Sequence, residues 1–115
     1  VRAAHKIREM GGGSVVITHR YGCVSELAAE ETSQVWIGKM PAVDVASPVG
    51  WNDALVAGYA VRLLEGDSPE DCLRFGLACG AANLISYGAG VLSCADAERF
   101  VDMVELEGVP AGSEE

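Results

Sequence analysis

Chemistry in this chain is concentrated in Ser47-Pro48-Val49-Gly50-Trp51-Asn52-Asp53-Ala54-Leu55-Val56-Ala57-Gly58-Tyr59. Pro48 holds the residue before it extended and cannot sit inside a following helix. Gly50 permits a sharp turn. Asn52 or Asp53 can cap a helix by accepting from a backbone N–H two or three residues on. Leu55, Val56, Tyr59, Leu63 and Leu64 then recur at helical spacing and are expected on one side. The stretch reads as an extended entry, a tight turn and a helix N-terminus with a carboxylate at its mouth. Backbone N–H groups at such a terminus favour an anion. Asp53 is placed there either as a general base or as an ordinary N-cap.

The elements on either side of this turn must position it. Val1–Met10 reads as a short helix with Ala3, Ala4 and Ile7 inward, ended by Gly11-Gly12-Gly13. Ser14-Val15-Val16-Ile17-Thr18 is β-branched and apolar without alternation, which predicts a strand covered on both faces, as in a parallel sheet. His19-Arg20-Tyr21-Gly22 is a tight turn, and Cys23–Ala29 returns as the second arm of a hairpin. Glu30–Ser33 is a solvated turn, and Gln34–Lys39 is another short strand. The helix after Asp53 is expected to end near Glu65-Gly66. Asp67-Ser68-Pro69-Glu70-Asp71 is a helix start, with a capping side chain, a proline suited to the first turn and acids opposing the dipole. That helix is expected to run to about Ile85, with Cys72, Phe75, Gly76, Cys79, Gly80 and Asn83 at three- and four-residue spacings. Tyr87-Gly88-Ala89-Gly90 is a loop. Ser93, with Asp96 three residues on, caps a last helix to about Glu105. Leu106–Pro110 is a final strand and Ala111–Glu115 a frayed tail.

Whole-chain properties limit the function. With 115 residues, half of them hydrophobic and 22% charged, the chain suits one small domain with a core rather than a disordered segment. A net charge of −9 disfavours nucleic acid and anionic membranes as partners. It leaves room for a phosphorylated ligand, because a few backbone amides bind phosphate against a negative background. Nothing approaches the ~20 apolar residues of a membrane helix, and no signal peptide is visible. Val1 is not an initiator methionine, so the chain is expected to begin inside a longer protein. Cys23, Cys72, Cys79 and Cys94 form no C-x-x-C pair and are expected to be buried small hydrophobes in a cytosolic protein with free thiols. His5 and His19 suggest neither a zinc site nor a triad, and Trp36 is expected to pack within its strand.

The pattern Ser47-Pro48-Val49-Gly50-x-x-Asp53-Ala54-x-x-Ala57-Gly58 resembles the second signature of the pfkB (ribokinase-like) carbohydrate kinases, nearest the 1-phosphofructokinase and tagatose-6-phosphate kinase branch. The resemblance spans about Val1 to Leu106. It implies an α/β chain forming the C-terminal portion of a ribokinase-like three-layer α/β/α fold. It also implies ATP-dependent phosphoryl transfer to a sugar or sugar phosphate, with Mg2+, in a cytoplasmic protein. The sugar-binding portion of the family lies outside these residues, so the chain alone is expected to be inactive.

By that resemblance, Asp53 is the catalytic base, and the backbone of Gly50, Trp51 and Asn52 forms the anion hole. The family has a small residue and a glycine where this chain has Trp51 and Asn52. Both keep the backbone donor, and asparagine tolerates a left-handed conformation. The indole either fills phosphate space or swings the turn, or it points outward and stacks on a ligand or neighbour. On the nucleotide side, Thr18, Arg20 and Gly22 occupy the position of the family's Ser/Thr-x-Gly turn, with Arg20 a phosphate clamp or a surface arginine. Asn83 lines the adenine pocket or bridges near the helix end, and Gly88 and Gly90 belong to the adenine-side loop. A non-catalytic nucleotide-binding or regulatory module is the competing function, and a fragment that only oligomerises is a third. An open strand edge and apolar face predict a homo-oligomer.

Overall fold

The computed structural model describes residues 1–20, 22–28 and 33–109. Expectations at Tyr21, Ala29 to Thr32, Pro110 and the 111–115 tail lie outside them. The described chain runs α1 (Arg2–Glu9), β1 (Val15–His19), β2 (Gly22–Ala28), β3 (Ser33–Lys39), α2 (Trp51–Leu64), α3 (Pro69–Leu84), α4 (Cys94–Val101) and β4 (Glu105–Val109). It divides into two compact units, one of residues 1–38 with the chain from Leu106 onward, the other Lys39–Glu105. Among the described residues no helix is long and apolar enough to cross a membrane.

The first unit carries a four-stranded sheet in the order β1-β2-β3-β4. The expected hairpin forms, but not the expected parallel sheet: β1 pairs antiparallel with β2, from Val15 with Glu26 to His19 with Gly22. The pairing closes across two intervening residues, which an antiparallel link allows and a parallel crossover does not. Accordingly β1 is only partly covered, with Val15 buried and Val16, Ile17 and Thr18 half-buried. On β3 and β4, Gln34 Nε2 donates to the Val109 carbonyl, and the Trp36 ring lies where a side chain at Gly108 would be. Helix α1 buries Ala4, whereas Ala3 and Ile7 stay exposed, contrary to the sequence reading.

Helix α1 also meets β2 through polar side chains. Glu26 on β2 is buried, with His5 Nδ1 3.3 Å from Oε1 and Arg8 Nε 3.3 Å from Oε2. A carboxylate taken out of water needs such partners.

The second unit is helical. Its α3 begins as the sequence predicts: Ser68 Oγ accepts from Asp71 N–H at 3.2 Å, Pro69 occupies the first turn, and Glu70 and Asp71 oppose the dipole. Ser93 Oγ likewise accepts from Asp96 N–H, starting α4. That helix stops at Val101, short of the expected Glu105, and buries Ala97 and Phe100. Arg74 on α3 donates to the Val104 carbonyl at 2.9 Å, tying down the chain that follows. Cys72 and Cys79 are buried, as Cys23 is in the first unit; Cys94 is exposed, against expectation, because it opens α4. Burial pushes the Cys79 thiol up to about 11.

Helix α2 does not bury the side its large residues suggested. Ala54, Leu55 and Gly58 are buried, while Val56, Leu63 and Leu64 are exposed, Leu64 at 89%. The reason is the closeness of α3. A Cβ at Gly58 would lie 2.7 Å from Cys79 Sγ, and one at Gly76 would lie 2.7 Å from the Leu55 carbonyl oxygen. Only missing side chains allow this approach, so the small face of α2 turns inward.

Gly76→Ala tests the packing. Alanine gains about 1 kcal/mol of helix propensity over glycine. Overpacking against a backbone oxygen costs about 1–3 kcal/mol, because that oxygen moves only if the helix moves. We expect a lower urea midpoint for Gly76→Ala; an unchanged or raised midpoint would show that the helices have room.

Candidate functional site

The turn entering α2 is built on the C-terminal end of α3. Ala46 and Ser47 N–H groups both donate to the Leu84 carbonyl, at 2.7 and 3.1 Å, using an acceptor left over at the helix end. Two residues on, Asn83 Nδ2 donates to the Val49 carbonyl at 2.9 Å. The same side chain accepts from the Gly90 N–H at 2.8 Å through Oδ1. Asn83 is fully buried. The extended entry read around Pro48 thus lies along α3, with Pro48 itself exposed.

Gly50 is the N-cap of α2 at φ 91°, in the left-handed region. A Cβ there would lie 2.8 Å from Ala89 Cα and 2.9 Å from Gly90 N, so backbone angle and space both require glycine. This corrects the expected cap. No side chain caps α2; the Gly50 carbonyl accepts from Ala54 N–H at 3.0 Å, and Asn52 and Asp53 already lie in the first turn. No left-handed residue is needed at Asn52, because Gly50 makes the bend one step earlier.

The helix therefore begins at Trp51, and the N–H groups of its first turn precede the first intrahelical bond. They carry the positive end of the helix dipole. Asp53 is exposed in that turn. Chemically the arrangement offers anion binding by backbone amides beside a solvent-accessible carboxylate.

Trp51 is half-buried and lies against α3. Its Cε3 and carbonyl oxygen would be 3.2 and 3.3 Å from a Cβ at Gly80, with Met40 Sδ also at 3.3 Å. The half-buried indole thus has α3 as its neighbour. Gly80 makes the space, a role its spacing from Gly76 and Asn83 hinted at without naming Trp51 as the beneficiary.

The structure thus brings Gly50, Trp51, Asn52, Asp53, Asn83 and Gly90 together, with exposed Gly88 at φ 115° in the same loop. Asn83 uses its amide as a bridge between the turn and this loop. Thr18, Arg20 and Gly22 belong to the first unit. Thr18 is half-buried near the end of β1, Arg20 is exposed and Gly22 is buried, where a Cβ would lie 2.5 Å from the Gly38 carbonyl oxygen. Gly22 thereby lets β3 approach. Sequence reasoning gave no role to the Leu84 carbonyl, to Met40 or to Ala89, whose contacts here are made across the fold.

Residues 1–95 match the model of the pfkB family carbohydrate kinases. The 1-phosphofructokinase of Escherichia coli (strain K12) is 33% identical over 107 residues, which are 93% of this chain and 33% of that enzyme. The chain therefore spans about a third of the length of the curated relatives it matches. Among solved structures, phosphofructokinase-2 from Escherichia coli aligns with a TM-score of 0.76 and 26% identity over 89% of this chain and 32% of its own. The ribokinase of Thermotoga maritima shares the fold, with a TM-score of 0.73 and 23% identity over 88% of this chain and 34% of its own. The helices and small antiparallel sheet are thus part of a ribokinase-like α/β fold, and the chain belongs to the pfkB family of carbohydrate kinases.

Proposed function

We propose that this chain supplies the nucleotide-phosphate-binding and base-carrying part of an ATP-dependent kinase acting on a sugar or sugar phosphate in the cytoplasm. The observation that carries the reading is the Gly50 turn. It presents the α2 N-terminus with Asp53 exposed in the first turn, and it is closed from behind by Ala89 and Gly90.

In this mechanism the Asp53 carboxylate accepts the proton of the attacking sugar hydroxyl. The hydroxyl oxygen forms a bond to the γ-phosphorus, and the bond from that phosphorus to the β,γ-bridging oxygen breaks, releasing ADP. The backbone of Gly50, Trp51 and Asn52 holds the transferring phosphoryl group, where charge is greatest. The helix dipole favours that charge without a lysine or arginine. Thr18, Arg20 and Gly22, with Asn83, Gly88 and Gly90, are proposed for the nucleotide side. Asn83 would act there from within the fold, since its amide is already bonded to Val49 and Gly90.

Magnesium fits only as a companion of the nucleotide. Among the described residues no three His, Cys, Asp or Glu side chains cluster to hold a metal. Mg2+ is commonly held by substrate phosphates and water with one or two carboxylates, and when bound it would offset phosphate charge. This chain's part is to orient the phosphates.

Asp53→Asn in the full-length protein should lower the phosphorylation rate by roughly 10²–10⁴, the scale for a positioned base, with ATP affinity little changed. The isolated 115-residue chain should turn over no sugar, because donor and acceptor must be aligned within reach. Unchanged turnover in the variant would remove Asp53 from catalysis. ATP binding without turnover in the full-length wild type would favour a regulatory module that keeps the site and has lost the reaction.

Self-association is the second expectation. Val56, Leu63 and Leu64 leave an apolar face of α2 in water. Sedimentation over rising concentration should reveal dimers of this chain; a monomer throughout would contradict it.

A further inference from the structure

We infer that Asn83 is a positioning residue that locks the turn entering α2 to the Gly88–Gly90 loop, so that the anion-binding terminus and the loop behind it move as one piece. The inference starts from where its two bonds go. Nδ2 donates to the carbonyl of Val49, the residue just before the left-handed Gly50. Oδ1 accepts from Gly90 N–H, next to the Ala89 that abuts Gly50. A donor is required on one side and an acceptor on the other, from one planar group with no exposure to water. Asparagine supplies both. Leucine of similar size supplies neither, and ionised aspartate supplies only acceptors.

The other hydrogen bonds nearby do not join these two segments. Ala46 and Ser47 N–H groups reach the Leu84 carbonyl, which secures the entry two residues before Val49. Ser86 Oγ donates to the Ala82 carbonyl at 2.9 Å and stays within the end of α3. The Asn83 side chain joins Val49 directly to Gly90. A buried group lost from such a bridge leaves its partner unsatisfied, so the two ends are energetically coupled.

The consequence for phosphoryl transfer rests on the kinase reading above, but the latch can be tested without nucleotide. Three amides report on it in hydrogen exchange. Gly90 N–H is bonded to Asn83 itself. Ala54 N–H closes the first turn of α2 on the Gly50 carbonyl. Cys72 N–H, bonded to the Ser68 carbonyl at 2.9 Å, lies at the far end of α3 as a reference. In Asn83→Leu we expect exchange at Gly90 and Ala54 to rise roughly tenfold, the scale of one lost hydrogen bond, with Cys72 unchanged. In Asn83→Asp at neutral pH, Gly90 should keep its acceptor and stay protected. Ala54 should loosen, because an unprotonated oxygen then faces the Val49 carbonyl. Acidification should protonate that oxygen and restore Ala54 protection, once intrinsic exchange is corrected for.

Wild-type protection at Ala54 in both variants would overturn the latch. If Asn83→Leu loses protection at all three amides, the aspartate variant decides. Recovery at Ala54 alone on acidification supports the latch, and no pH dependence there overturns it. A latch that holds in a full-length protein without kinase activity would sink the kinase reading and leave this one standing.

Discussion

Helices α2 and α3 lie so close that backbone and side chain meet where two Cβ atoms are missing. At Gly58 the neighbour is Cys79 Sγ, and at Gly76 it is the Leu55 carbonyl oxygen. This approach fixes where α2 starts. It sets Trp51 over Gly80 and lets the C-terminal end of α3, through Asn83 and Leu84, hold the chain entering α2. The exposed position of Asp53 follows from that placement. Helical packing usually leaves side chains interposed; here their removal brings a helix end, a turn and a loop within hydrogen-bond reach.

An anion site of the kind proposed at this turn is compatible with an acidic chain. A net charge of −9 sets the long-range field, which salt screens beyond about 10 Å. Backbone amides at a helix start act over much shorter distances and do not compete with the carboxylates for position. In α2 the one acid of the first turn is Asp53. The arginine of the last turn, Arg62, is occupied elsewhere, bridging to Glu98 at 3.1 Å and Glu65 at 3.3 Å. The two helix ends thus do different things, the first presenting donors and a carboxylate, the last knitting α2 to α4.

What could be read without the fold was local. Ser68 with Pro69, and Ser93 with Asp96, cap their helices as their types dictate, because capping needs only residues three apart. The Gly50 bend was equally legible. Its role as the N-cap in place of Asn52 or Asp53 was not, since the left-handed geometry is sustained by Ala89 and Gly90 some forty residues on. Hydrophobic spacing on α2 was right for buried Leu55 and wrong for Val56, Leu63 and Leu64, which are exposed. Size, not hydropathy, decides which face fits against α3, and Gly58 carries no hydrophobic signal. The apolar run at β1 suggested a parallel sheet because burial pattern does not specify strand direction. The contacts of His5 and Arg8 with Glu26 join residues whose separation fits no motif. Family resemblance is what singles out Gly50 and Asp53 as candidates, since spacing alone leaves Asp53 an ordinary helix acid.

The central claim is that the first turn of α2 binds phosphate through its backbone. It is tested most directly by following the backbone amide resonances of this protein as ATP is added. The account predicts saturable shifts largest at Gly50, Trp51 and Asp53, with Gly90 moving in step, at an affinity that the Asp53→Asn variant retains. No shift at Gly50 and Trp51 under saturating nucleotide, or shifts of equal size spread over surface amides remote from the turn, would contradict it.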